Sequence, residues 1–144
     1  MDDRQGTGTA HRVYLAGPID QSDDPWSWRD EAKRLAPDGV QMVDPLDRFA
    51  DWPDDPAKLI EFDLRQAASC DVLAGAMGSV PTTGTHYEIE RAIMNGNRVV
   101  VHLADRENVS KFLLERPEVS ITEDLEQAVQ MVCSAGKRGV PADD

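Results

Sequence analysis

Hydrophobic positions along the chain fall into two alternating kinds of block. "RVYLA" (12–16), "VQMV" (40–43), "DVLAGAM" (71–77), "RVVVHL" (98–103) and "EVSI" (118–121) are short continuous apolar runs rich in β-branched residues. The first stops at Gly17-Pro18 and the second at Asp44-Pro45, so they read as buried strands entering loops. Between them the apolar residues recur every three or four positions. "PWSWRDEAKRLA" (25–36) places Trp28, Ala32, Leu35 and Ala36 on one face, with Asp24 as expected N-cap and Pro25 at the first helical position. "AKLIEFDLRQAASC" (57–70) predicts a helix with Leu59, Ile60, Ala67 and Ala68 inward. Gly84-Thr85 opens "HYEIERAIMN", which Gly96 should end as a left-handed C′ residue. "ENVSKFLLE" (107–115) and "TEDLEQAVQMVCSA" (122–135) predict two more helices, the latter with Thr122 as N-cap.

Strands alternating with helices imply a parallel sheet covered on both faces. The expected architecture is an α/β, flavodoxin-like three-layer sandwich with a five-stranded parallel sheet in the order 2-1-3-4-5. One domain over 11–135 accounts for the pattern, with polar tails at 1–10 and 136–144 expected to be disordered. In such sheets ligands bind beyond the carboxyl ends of the strands, where the strand order reverses. Three loops meet there: one from Gly17 to Asp24, one from Asp44 onward, and one from Met77 to Thr85.

Composition narrows the partners. Lys and Arg total 15 against 27 Asp and Glu, a formal charge of −12. So acidic a surface repels phosphate backbones and anionic lipid, which argues against nucleic acid and membrane partners. Two cysteines, Cys70 and Cys133, make neither a disulfide framework nor a CxxC pair. "MDDRQGTGTA" has no apolar signal region, so a cytoplasmic protein is expected. The aspartates at 44, 47, 51, 54 and 55 match no EF-hand spacing, and "HYEIE" is not HExxH. No metal and no cofactor is expected.

The chemistry centres on "TTGTHYEIERA" (82–92). Thr85 and Glu88, three apart at an expected helix start, fit a capping box, in which each side chain satisfies the other's backbone N–H. The same glutamate fits a carboxylate nucleophile at a sugar carbon, held as the anion by the helix N-terminus. Spacing alone separates neither reading. Asp63 lies four residues from both Leu59 and Ala67, at the edge of an apolar stripe, where partial desolvation suits a proton donor. Asp71, at a strand start, reads as structural.

"VYLAGPI" (13–19), "WR" (28–29), "VDP" (43–45), "EFDLRQAASCDVLAG" (61–75), "GTHYEIERA" (84–92) and "NRVVV" (97–101) occur in an order that resembles the nucleoside 2-deoxyribosyltransferase family, over roughly residues 12 to 103. The resemblance implies that Glu88 is the nucleophile at C1′. It further implies that Asp63 holds or protonates the departing base, that Tyr14 orients the nucleophile, and that the backbone around Gly17, Pro18 and Ile19 forms part of the sugar pocket. Trp26 is the loop aromatic that could stack on a base. Thr82, Thr83, Gly84 and Thr85 would line the same pocket.

Classical transferases of that family carry an aspartate six residues before the nucleophile, where this chain has Thr82. Relatives that hydrolyse nucleoside 5′-monophosphates tend to carry a hydroxyl residue there, suited to a phosphate beside a helix N-terminus. Against a phosphate stand Asp20, Asp23 and Asp24, with no arginine in the first loop before Arg29. The transferases' aromatic near the C-terminus has no counterpart in "GVPADD". The expected reaction is cleavage of the N-glycosidic bond of a (2′-deoxy)nucleoside or its 5′-monophosphate, with a purine or pyrimidine base or water as acceptor. The alternatives are a pure monophosphate hydrolase and a non-catalytic nucleotide sensor. "G-T-x-x-E" also occurs in phosphoribohydrolases that release cytokinin bases, whose Pro-Gly-Gly run is missing here, and strand 1 lacks the acidic pair of a receiver domain. Family pockets are often completed by a neighbouring subunit, which implies a homo-oligomer.

Overall fold

A computed structural model describes residues 11–19, 22–47, 56–80 and 83–134. The two expected tails, Asp20, most of the acidic loop after Asp47 and Thr82 lie outside the described residues. The elements are β1 (His11–Ala16), α1 (Ser27–Leu35), β2 (Val40–Val43), α2 (Pro56–Ser69), β3 (Asp71–Met77), α3 (Thr83–Met94), β4 (Val99–Leu103), a 3-10 turn (Arg106–Asn108), α4 (Lys111–Leu114), β5 (Val119–Thr122) and α5 (Leu125–Cys133). The strands form one parallel sheet in the order β2-β1-β3-β4-β5. This is the flavodoxin-like α/β order that the alternating blocks predict.

The sheet divides the core in two because successive strand side chains point to opposite faces. Val13, Leu15, Leu73 and Val100 pack with Trp28 and Ala32 of α1 and with Ala128, Val129 and Val132 of α5. Tyr14, Ala16, Val72, Ala74, Val99 and Val101 pack with Ala67 of α2, Ile89 and Ala92 of α3, and Leu113 of α4. Every strand of the central three is therefore apolar on both faces, which explains its unbroken hydrophobic run.

The amino ends of the strands are tied by polar side chains. Asp71, buried at the first position of β3, accepts the Arg98 backbone N–H at 2.8 Å through Oδ1, and its Oδ2 lies 2.7 Å from His11 Nε2. Asn97 donates to the last-turn carbonyl of Ala68 in α2 at 2.6 Å, satisfying a helix-end group that would otherwise be orphaned. Gly96 adopts φ +74, with Gly96 N–H on Ile93 O and Asn97 N–H on Ala92 O. These are the paired bonds of a Schellman cap on α3.

Several helix starts differ from the sequence expectation. α1 begins at Ser27, not Pro25, because Asp24 bonds forward: its Oδ1 accepts from the N–H groups of Trp26 at 3.1 Å and Ser27 at 3.0 Å. Asp24 thus acts as an Asx turn ahead of the helix. α5 begins at Leu125 with Asp124 as N-cap, while Thr122 stays in β5 and accepts the Asp124 N–H. The single helix expected over 107–115 is broken in two where Ser110 turns extended and caps α4. Ile60 is exposed rather than inward, and the side chain of Leu59 lies outside the described residues.

Candidate active site

β1 and β3 are neighbours, yet β2 lies on one side and β4 on the other, so the strand order reverses between them. Their carboxyl ends open the crevice where α/β sheets bind ligands. Tyr14 sits near the end of β1 on the α2–α3 face, with only 1% of its surface exposed. Its hydroxyl donates to Glu88 Oε2 at 2.9 Å. A hydroxyl-to-carboxylate bond of that kind is charge-assisted and directional. It fixes one carboxylate oxygen of a half-buried glutamate.

The helix start settles how Glu88 is held. α3 begins at Thr83, so Thr85 is already inside the helix and Glu88 stands in the second turn; the first turn holds no acidic residue. Reciprocal capping between Thr85 and Glu88 needs Thr85 to be the cap residue, which it is not. Thr85 is buried within the first turn instead. The expected help from the helix N-terminus also shrinks, since that field fades beyond the first turn.

The other expected residues fall as follows. Asp63 is half-buried on α2, the helix packed beside α3. Gly17 and Pro18 are buried and Ile19 is half-buried in the first loop. Trp26 is about half exposed at 51% and stands just before α1. Gly84 is exposed in the first turn of α3, and Thr83 opens that turn with its side chain outside the described residues. His86, next to Thr85 on α3, is half-buried.

Two features were not anticipated from sequence. First, the indole of Trp28 lies flat against the ends of β1 and β3. A Cβ on Gly75 would come 2.3 Å from Trp28 Cε3, and one on Gly17 would come 2.7 Å from Trp28 Cζ2. Only glycine leaves room at both places. Nε1 of that indole is buried with no partner among the described residues, so shape rather than a hydrogen bond holds the ring.

Second, Arg29 is wholly buried. Its Nη1 donates to the carbonyls of Pro25 at 2.8 Å and Pro18 at 3.4 Å, and Nη2 to those of Gly17 at 3.2 Å and Leu15 at 3.4 Å. Nε is 3.5 Å from Asp44 Oδ1, and the guanidinium lies 4.7 Å from the Trp28 ring centre. Burial pushes the Arg29 guanidinium below its ordinary value, while Asp44, Tyr14 and Glu88 all favour its charged form. The only sequence signal was the "WR" pair, in which an arginine on an amphipathic helix looks solvated.

At the end of β3 the ladder to β4 slips between Ala74 and Met77. Ala76 takes φ +55 there, unusual for a residue with a side chain. Its N–H donates to His102 Nδ1 at 3.2 Å. Burial pushes His102 below the usual histidine value, with Asp124 opposing. Among the described residues no cluster of His, Cys, Asp and Glu could hold a metal, and no helix is long and apolar enough to cross a membrane.

Neither a family model nor a curated protein sequence matches the chain. The fold is matched by a solved structure, the CMP N-glycosidase BcmB of Clostridium botulinum. The two are 21% identical, the match covers 84% of this chain and 96% of that one, and the TM-score is 0.50. At that identity the likeness is one of fold.

Proposed function

We propose that this protein is an enzyme that cleaves the N-glycosidic bond of a nucleoside or nucleoside 5′-monophosphate, with Glu88 as nucleophile. The observation that carries this reading is the Tyr14 hydroxyl on Glu88 Oε2, 2.9 Å apart at the carboxyl end of the sheet. A strand residue 74 positions away, outside its own helix, orients this carboxylate. The fold shared with a CMP N-glycosidase adds support.

In this mechanism a Glu88 oxygen bonds to C1′ of the sugar as the bond from C1′ to the base nitrogen breaks. The electron pair leaves with the base, which takes a proton from Asp63. A water molecule or a second base then attacks C1′, Asp63 takes back a proton, and the ester to Glu88 opens. Tyr14 holds the carboxylate in line through both steps. Gly17, Pro18 and Ile19 would border the sugar, Trp26 would stack on the base, and Thr82, Thr83, Gly84 and Thr85 would flank the 5′ side. Water gives a hydrolase and a second base gives a transferase.

Incubation with deoxynucleosides, ribonucleosides and their monophosphates, with and without a second base, tests this directly. Release of free base is expected, and exchange between bases identifies a transferase. A fluorinated sugar analogue that traps the intermediate should label Glu88. Binding without turnover would replace this reading with the nucleotide sensor, and a label on another residue would remove Glu88 from the mechanism.

We also propose a homo-oligomer. Ile60 on α2, Tyr87 and Met94 on α3 and Phe112 on α4 stand exposed on the same side of the sheet, an apolar display suited to a second copy. Light scattering should return at least twice the chain mass of 15.9 kDa, and a monomer at assay concentration would refute it.

A further inference from the structure

β3 and β4 fall out of step at their carboxyl ends. From Ala74 to Met77, β3 advances three residues while β4 advances two, from Val101 to Leu103. The extra residue makes a β-bulge, rare between parallel strands and over-represented beside functional sites. Side-chain alternation breaks with it. Ala74 and Met77 both pack in the α2–α3 layer, whereas Gly75 lies under Trp28 and Ala76 packs into the α1–α5 layer. Ala76 holds φ +55, a left-handed conformation that glycine enters freely and alanine does not.

A side chain from the next strand holds it there. The Ala76 N–H donates to His102 Nδ1 at 3.2 Å. Val101 and Leu103 face α2 and α3, so His102 between them lies on the same side of the sheet as Ala76. A backbone N–H can only donate, so Nδ1 carries the lone pair and the ring is neutral with its proton on Nε2. In an imidazolium both nitrogens donate. Protonation therefore sets one N–H against another and takes away the acceptor at the strained residue. The turn that follows is built on Ala76. Its carbonyl accepts the Ser79 N–H at 3.3 Å and the Ser79 hydroxyl at 2.8 Å. Met77 O accepts the Ala104 N–H at 2.8 Å, and a Cβ on Gly78 would collide with the Asp105 carbonyl oxygen.

We propose that His102 is a proton-operated latch on the turn from Ala76 to Ser79: the neutral ring holds the turn against β4, and the protonated ring releases it. The turn leaves β3 at the wall of the crevice and leads toward α3, which carries Glu88. Its effect on a substrate rests on the glycosidase reading, whereas the latch concerns the protein alone.

The charged groups around His102 come from each element packed on that side. Thr122 of β5 stands opposite it, and Glu123 and Asp124 follow. Asp124 spends Oδ1 on the N–H groups of Glu126 and Gln127 at the head of α5, and it favours the charged imidazole. Glu126 of α5 is exposed. On α1, Glu31 pairs with Arg34, and Lys33 pairs with Asp44 and Asp47. Past the end of β4, Asp105 caps the 3-10 turn and Arg106 lies 3.5 Å from Glu123. β3 carries only Asp71, at its amino end. Burial outweighs the pull of Asp124 and keeps His102 below its ordinary 6.5. The latch is therefore closed near neutrality and opens as pH falls through that lower value.

NMR on the ¹⁵N-labelled full chain tests this, with the His102 ring signals identified by their loss in His102→Asn. Near neutral pH the ring should show a proton on Nε2 and none on Nδ1. As pH falls, the Ala76 to Ser79 amide signals should shift with the His102 midpoint. Protection of the Ala76 N–H from exchange should drop about tenfold across it, with Val100 and Val101 unaffected. In His102→Asn, Oδ1 replaces Nδ1 as an acceptor that never protonates, so the turn should stay closed and lose its pH response. Ala76→Gly removes the left-handed penalty but frees the open turn, and the balance should lower the His102 midpoint by about half a pH unit. A histidine that merely packs predicts no such coupling. If His102→Asn does not fold, the parent and Ala76→Gly still decide. Amides that ignore the His102 midpoint, a response that survives in His102→Asn, or a midpoint that stays or rises in Ala76→Gly overturn the proposal. A responsive turn without turnover on any nucleoside or nucleotide keeps it and removes the glycosidase reading; turnover with an unresponsive turn does the reverse.

Discussion

The two ends of the sheet each hold a carboxylate shielded from solvent, Asp71 fully and Glu88 in part, and they hold it differently. At the amino end, Asp71 is spent on a backbone N–H and a histidine that join β1, β3 and β4. At the carboxyl end, Glu88 accepts from the phenol of Tyr14 on the neighbouring strand. The first arrangement closes the backbone's own hydrogen-bond needs. The second aims a side chain at a crevice. A carboxylate shielded from solvent therefore says little by itself, and its partners separate a fastener from a side chain aimed at a crevice.

The sharpest way to break that contrast is to remove the acids. Glu88→Gln should cut glycosidic turnover by about 10⁴-fold or more while leaving the urea midpoint nearly unchanged. Asp71→Ala should do the opposite. It strands the Arg98 N–H and should cost about 3 kcal/mol of stability, measured by urea unfolding, with turnover per folded molecule kept. Similar losses of activity in both variants would erase the distinction.

Tyr14→Phe refines the comparison. It removes one charge-assisted bond, about 1.5–3 kcal/mol, so kcat should fall roughly 10- to 100-fold. Steady-state kinetics that leave kcat intact would reduce Tyr14 to packing.

The smallest effect concerns the slipped end of β3. Burial depresses the folded-state value of His102 below its ordinary 6.5. The unfolded chain therefore binds its proton first, and stability present above about pH 6.5 is lost as pH falls through the lower folded value. His102→Gln should flatten that part of a stability-against-pH curve, read by thermal unfolding, and an unchanged slope would place the pH sensitivity elsewhere.

The sheet was legible because "DVLAGAM" and "VVV" are apolar on both faces, a pattern that only a doubly covered parallel strand needs. Helix starts were less so. Asp24, Ser110 and Asp124 each compete locally for backbone N–H groups, and which of them wins depends on the loop geometry each helix inherits. The Thr85–Glu88 spacing misled for the same reason: a helix that starts two residues earlier turns a cap motif into an interior pair. Arg29 was opaque because its burial depends on carbonyls up to 14 positions away that converge only after the sheet forms. Trp28 was legible as core from its spacing, but the glycine slot beneath it spans β1 and β3 and had no local signature.

One consequence follows from where α3 begins. Glu88 rides a full turn inside a rod anchored at its far end by a Schellman cap. The residues ahead of the helix can then be exchanged or lengthened without re-aiming the carboxylate. Under the reaction proposed above, the loop ahead of Thr83 could then drift in sequence while the nucleophilic oxygen kept its place.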